Sequence, residues 1–124
     1  MRPRTIDYVN AHGTGTTAND PAETQAVHRV FGAHARNLAV SSTKSMHGHA
    51  LGAASALEMV ATILAVYHKV IPPTANFTER CDECDLDYVP NDARERPIGA
   101  AISNSYAFGG LNAAIAVKPW RCTK

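Results

Sequence analysis

The sequence predicts a mixed α/β fold, a mixed β-sheet with a buried central helix. Three observations carry that prediction. Short apolar runs alternate with helical stretches in the order strand–helix–strand–helix–strand–strand, the pattern of a mixed sheet. The last two strands are close enough in sequence to form a hairpin. Ahead of that hairpin, from His49 or Ala50 to about Lys69, the chain is helical in pattern and apolar on all sides, which marks a buried helix.

Taken in order, residues 6–11 read as the first strand, with Ile6, Tyr8 and Val9 as β-formers. The strand runs into His12-Gly13-Thr14-Gly15-Thr16, too glycine-rich to continue it. Asp20, Pro21 and Glu23 then predict a helix start: a cap, a proline at the first helical position and the far side of a capping box. Ala22, Ala26, Val27 and Val30 form its expected inner face, with Glu23, His28 and Arg29 toward water, and Gly32 stops it. Leu38-Ala39-Val40 is the second strand. It opens into Ser41-Ser42-Thr43-Lys44-Ser45-Met46-His47-Gly48-His49, which leads to the central helix. Pro72 and Pro73 force an extended exit from that helix. Residues 75–97 are irregular, with a weak edge-strand alternation at Leu86-Asp87-Tyr88-Val89. Residues 98–103 and 113–117 complete the strands.

Composition narrows the function. A chain of 124 residues is one domain or less, and its 45% apolar and 19% charged content is that of an ordinary globular protein. A net charge of +1 gives no support for nucleic acid or an anionic membrane as partner. Glu58 interrupts the apolar helix, which argues against a membrane span. No leader-like apolar run follows Met1, so the cytoplasm is the expected compartment. Three cysteines argue against a disulfide framework. Cys81-Asp82-Glu83-Cys84 has the spacing of a zinc or redox pair, but it has no second ligand pair. Its acidic neighbours would raise the thiol pKa values, so it reads as two thiols in an exposed acidic loop.

Ligand-binding loops of such sheets lie beyond strand carboxyl ends, where His12, Lys44, His49 and Phe108 all fall. The glycines beside His12 let backbone and hydroxyls approach a ligand, and Thr14 and Thr16 suit an extended amide chain. Glu58 is the only charge on the apolar helix and needs a partner, for which Lys44 is the candidate. His47 and His49 sit at a helix start in this reading. There the free amides disfavour imidazolium, and a neutral, hydrogen-bonding imidazole is expected, with His49 the better catalytic candidate. His12, His47 and His49 could instead hold zinc through three nitrogens, although no acidic or thiolate ligand accompanies them. In Tyr106-Ala107-Phe108-Gly109-Gly110 a backbone amide could face a developing oxyanion, with the aromatic rings lining or gating an acyl pocket. Together the loops read as one side of an acyl-transfer site, without a nucleophile.

These stretches, with Asn19-Asp20-Pro21-Ala22-Glu23, Pro72-Pro73-Thr74-Ala75-Asn76 and Cys84-Asp85-Leu86-Asp87-Tyr88-Val89-Pro90-Asn91, resemble the C-terminal part of elongating β-ketoacyl-acyl-carrier-protein synthases. The resemblance runs from about Ile6 to Val117. Ser45-Met46-His47-Gly48-His49 and Ala56-Leu57-Glu58-Met59 are further similar to the nodulation-type synthases of that family.

The resemblance implies a thiolase-like fold and decarboxylative Claisen condensation of an acyl thioester with malonyl-carrier protein. It implies that His12 and His49 promote decarboxylation and that Lys44 is the active-site lysine, partnered by Glu58. Thr14 and Thr16 match positions contacting the phosphopantetheine arm. Phe108 matches the oxyanion-hole residue, beside Gly109, and Tyr106 the gating aromatic. No bound cofactor or metal is implied, only the phosphopantetheine arm of acyl carrier protein as substrate carrier. Acyl carrier protein is the implied partner, and a homodimer the implied assembly. Ala107 stands where the family has glycine and Leu111 where it has threonine, which suggests a stiffer gating loop. None of Cys81, Cys84 or Cys122 matches the family's nucleophile. Residues 1–124 therefore read as a C-terminal domain fragment whose nucleophile-bearing N-terminal half is absent, incomplete in catalysis alone. The alternative is a non-catalytic module that only binds the carrier arm.

Overall fold

The computed structural model describes residues 1–120. It contains a four-stranded sheet in the order β2-β1-β5-β6. Strand β1 (Tyr8–Asn10) lies parallel to both β2 (Ala39–Ser41) and β5 (Ala101–Tyr106), and β5 pairs antiparallel with β6 (Asn112–Val117). The hairpin expected from the short connection is therefore present. A second, two-stranded ribbon joins β3 (Val70–Ile71) to β4 (Arg94–Glu95). The sequence reading had no strand at β4. Conversely, residues 86–89 make only isolated bridging contacts: the Val40 amide donates to the Asp87 carbonyl, and no regular strand forms.

The period of two along the strands sorts the core into two layers. Val9, Val40 and Ala100 face one side, where they pack with Val27 of α1 (Asn19–Phe31), Leu38 and Leu86. Tyr8, Ala39 and Ala101 face the other, against Ala65 and Val66 of α3 (Ala54–His68) and Ile71. The result is helix on sheet on helix.

Both helices differ from expectation in informative ways. Helix α1 begins at Asn19, so Asp20 is inside the first turn and does not cap it. Thr16 takes that place: its hydroxyl accepts from the Asn19 amide at 3.2 Å. Ala22 and Val30 are exposed, and the inner stripe is Glu23, Thr24 and Val27. Polar residues win those positions because loop amides and hydroxyls are waiting there to bond them. Gly32 does stop the helix, with φ of 54°.

The central helix starts at Ala54, later than expected. Before it come a four-residue helix, α2 (Lys44–His47), and one 3-10 turn at Leu51–Ala53. Its buried stripe, Ala54, Glu58, Thr62, Ala65 and Val66, has the helical period. Leu57, Val60, Ile63, Leu64 and Tyr67 on its outer side are exposed. Among the described residues the helix is thus covered on one face only, because the four-stranded sheet supplies no layer for the other. The stretch Leu51–His68 is apolar and long enough to cross a membrane by length and composition. Its contacts with β5 and its buried Glu58 are nevertheless those of a helix packed on a sheet.

Candidate active site

Because β1, β2 and β5 are parallel, their carboxyl ends meet at one edge, and each releases a loop there. From β1 comes His12; from β2 comes α2, whose first residue is Lys44; from β5 comes the turn after Tyr106.

Lys44 and Glu58 form the expected pair. The Lys44 ammonium donates to Glu58 Oε1, and the two residues are only 7% and 1% exposed. Among the described residues Glu58 Oε2 has no hydrogen-bond partner. Around the pair lies a polar cluster at the strand ends. Asn10 Nδ2 shares its two hydrogens among the Glu58 carbonyl (3.1 Å), Thr62 Oγ1 (3.1 Å) and Thr43 Oγ1 (3.2 Å), and Asn10 Oδ1 is 3.3 Å from Thr43 Oγ1. Asn10 is fully buried in an otherwise apolar strand, and those bonds satisfy its amide.

The His12 loop is held from beneath by Glu23. Its carboxylate accepts the His12 amide at Oε1 (3.0 Å) and the Gly13 amide at Oε2 (2.9 Å). Asn104 Nδ2 also donates to Oε1 (3.2 Å). Glu23 is 4% exposed, so the expectation that it faces water is wrong. A carboxylate that accepts backbone amides in this way is stabilised by charge-assisted bonds, and this compensates its burial. Gly13 must be glycine for two reasons. Its φ is +38°, and a Cβ there would stand 2.5 Å from Ser42 Cβ. Ser42 Oγ in turn donates to the Gly13 carbonyl at 2.6 Å, which ties the β1 and β2 loops together.

The His12 ring lies 5.6 Å from the His49 ring, nearly perpendicular to it, and 5.6 Å from the Tyr106 ring. Burial, reinforced by the Lys44 charge, holds the His12 imidazole below its usual pKa. It is therefore neutral at pH 7, with a buried Nδ1 that has no hydrogen-bond partner among the described residues. The Tyr106 hydroxyl is pushed up to about 12, by burial and then by the Glu23 charge, and stays a proton donor. His49 is exposed, its Nδ1 accepting the Leu51 amide at 3.2 Å.

The helix-start expectation separates the two histidines. His47 is the last residue of α2 and does not stand at a helix start, whereas His49 lies just before the 3-10 turn that runs into α3, and its Nδ1 accepts the first amide of that turn, Leu51. His47 hydrogen-bonds to Thr43 Oγ1 (3.1 Å) and to the Gly48 carbonyl (2.9 Å) of its own loop. Among the described residues no three His, Cys, Asp or Glu side chains gather as metal ligands.

Lys44, His49, Thr14 and Thr16 line one cavity of about 610 Å³, together with Thr24, Cys81, Cys84 and Tyr88. Thr14 and Thr16 hydroxyls stand 3.2 Å apart. The β5–β6 turn is closed by the Ala107 amide on the Leu111 carbonyl (2.8 Å), with Gly109 at φ 76°. Ala107 is extended (φ −137°, ψ 164°), a conformation that alanine adopts as readily as glycine, so alanine at this position does not strain the turn. The Phe108 side chain is fully exposed and lines no part of that cavity; Tyr106, not Phe108, is the aromatic beside His12. Cys84 is buried, contrary to the exposed loop expected, while Cys81 is exposed. Cys122 lies outside the described residues.

Sequence reasoning missed Glu23, Asn10 and Asn104. The available signal was polar residues closing apolar strands: Asn10 ends β1, and Ser103 and Asn104 lie within β5.

Residues 1–78 match the family described as "Beta-ketoacyl synthase, C-terminal domain". Nodulation protein E of Rhizobium sp. (strain N33) is 58% identical over 113 residues, 91% of this chain and 28% of that protein. The 3-oxoacyl-[acyl-carrier-protein] synthase 2 of Coxiella burnetii (strain RSA 493 / Nine Mile phase I) is 53% identical over 115 residues, 93% of this chain and 28% of that protein. A solved type II PKS acyl-carrier protein in complex with its ketosynthase bound to the hexaketide superimposes with a TM-score of 0.95 at 38% identity, over 98% of this chain and 30% of that one. The chain thus spans less than a third of the length of these proteins. It belongs to the β-ketoacyl synthase family, in the C-terminal domain of that family.

Proposed function

We propose that this chain supplies the decarboxylation residues of a β-ketoacyl-acyl-carrier-protein synthase. The observation that carries this reading is the meeting of the neutral His12, His49 and the buried Lys44–Glu58 pair beyond three parallel strand ends. In the reaction, the malonyl thioester loses carbon dioxide and the electron pair stays on the enolate. N–H groups of His12 and His49 stabilise its oxygen. The carbanion attacks the acyl thioester carbonyl, a carbon–carbon bond forms, and the cysteine thiolate leaves. The backbone amide of Phe108 serves the oxyanion of that second step, with Gly109 giving the turn its shape. Lys44 holds Glu58 in charge balance, and its charge adds to burial in lowering the His12 pKa.

Thr14 and Thr16, on the wall of the cavity, hydrogen-bond the amides of a phosphopantetheine arm in this reading, and acyl carrier protein is the partner that delivers it. The acyl-bearing cysteine comes from synthase sequence beyond these 124 residues. Cys81 donates its S–H to Cys84 and its pKa is raised, which is the opposite of an activated nucleophile. The uncovered apolar face of α3 supports such a complement, since a patch of this kind normally meets further protein. A homodimer of the completed synthase is part of the same proposal.

The test is reconstitution. Fused to the N-terminal part of a related synthase, the chain is expected to release carbon dioxide from malonyl-carrier protein. His12→Ala and His49→Ala should each lower that rate by about 10²–10⁴-fold. Binding of holo-carrier protein without carbon dioxide release would instead favour a non-catalytic carrier-binding module.

A further inference from the structure

Cys81 and Cys84 are not used by the proposed condensation, yet the fold brings their sulfurs to 2.9 Å. The approach is built by the backbone: the Cys84 amide donates to the Cys81 carbonyl at 3.0 Å, closing a turn over Asp82 and Glu83. Cys84 is fixed from the core side. It is buried, and its Sγ packs 3.6 Å from Thr24 Oγ1 of α1, a hydroxyl that is held in place by the Asp20 carbonyl at 2.8 Å and the Tyr88 hydroxyl at 2.7 Å. Cys81 is exposed. One sulfur is thus anchored and the other reachable, the arrangement a thiol–disulfide exchange needs.

We propose that Cys81 and Cys84 form a reversible dithiol–disulfide site that is oxidised by small-molecule disulfides. The Cys81 thiolate attacks one sulfur of the oxidant, forming a mixed disulfide and expelling one thiolate. Cys84 then loses its proton and attacks Cys81 Sγ, expelling the second. The balance is two protein thiols and one disulfide giving one protein disulfide and two small thiols; two electrons pass to the oxidant and both protons to the released thiolates. The hydrogen bond to Cys84 raises the Cys81 pKa, so the first attack quickens as pH rises above neutral. Both residues line the cavity that also holds Thr14, Lys44 and His49, so the bond would fix one wall of that cavity. The site is independent of the condensation reading.

The test uses the full chain carrying Cys122→Ser, equilibrated with reduced and oxidised glutathione, quenched by alkylation and analysed by mass spectrometry. The expected oxidised product is lighter by two hydrogens, with the bridge mapped to Cys81 and Cys84. Its equilibrium constant should be about tenfold larger in the folded chain than in concentrated urea, roughly 30 mV for this two-electron couple. Adding Cys84→Ser should leave a glutathione mixed disulfide trapped on Cys81. A persistent mixed disulfide as the main product of the chain with both thiols would overturn the proposal. Equal constants in the folded and unfolded chain would do the same, showing only the nearness of two cysteines in sequence.

Discussion

Helices α1 and α3 each bury one carboxylate toward the same strand ends, and they stabilise it in different ways. Glu58 of α3 sits on an apolar helix and is matched by a single ammonium, that of Lys44. Among the described residues Glu23 of α1 meets no cation; it collects two backbone amides and the Asn104 and Asn19 side chains. The difference follows from what each helix faces. Across from α3 is a short helix start that can aim one long side chain inward. Across from α1 is a glycine-rich loop whose His12 and Gly13 amides donate to it. An ion pair ties two elements at one point, whereas amide donors define the course of a loop. The first holds Lys44 in place, and the second sets the backbone of His12 and Gly13.

The largest effect should come from breaking the ion pair. Glu58→Ala leaves a buried ammonium without its partner, a loss of about 3–5 kcal/mol. It should show as a sharp drop in the urea midpoint. Replacing both partners, Lys44→Met with Glu58→Leu, should recover most of that loss, because an apolar pair of similar volume removes the desolvation cost. An unchanged midpoint for Glu58→Ala would mean that the pair holds nothing together.

Glu23→Gln should cost less, about 1–3 kcal/mol, since one oxygen still accepts while an amide group now opposes a backbone N–H. Its sharper signature is local. The His12 and Gly13 amides should exchange their hydrogens faster, while amides of α3 keep their protection. Uniform acceleration throughout the chain would erase the distinction between the two carboxylates.

The smallest effect concerns pH. The folded pKa of His12 lies below its ordinary 6.5, so the unfolded chain binds that proton more tightly. The neutral ring's contribution to stability is therefore complete above pH 6.5 and is lost as pH falls from there toward the folded value. Urea midpoints of the native chain and of His12→Gln, compared across pH, should run parallel above 6.5 and converge or cross below it. Parallel curves throughout would place the His12 ring in a solvent-like environment.

Much of the candidate site was legible because its residues are unusual where they stand. A lone carboxylate on an apolar helix asks for a cation, and Lys44 just ahead of the helix supplies it. Imidazole between glycine-rich turns and strand ends marked His12, and the ring does meet His49 and Tyr106. Glu23 was harder to read: a carboxylate near a helix start has a local explanation as a capping-box residue. Its true partners are the amides of His12 and Gly13, eleven and ten residues away, and Asn104, which is 81 residues away.

What the sequence by itself determined is the alternation of strands and helices, the hairpin at the end, the lysine–carboxylate pair and the family. Each depends on residues near one another in the chain or on a local pattern of polarity. Only the tertiary structure decided which face of α1 is buried, where the central helix begins, that its outer face stays uncovered among the described residues, and that Cys84 lies beneath Cys81. Those outcomes depend on which groups arrive from distant segments to satisfy a buried polar atom or cover an apolar one. Parallel pairing of β1 with β5, across more than ninety residues, assembles those segments only once the chain has folded.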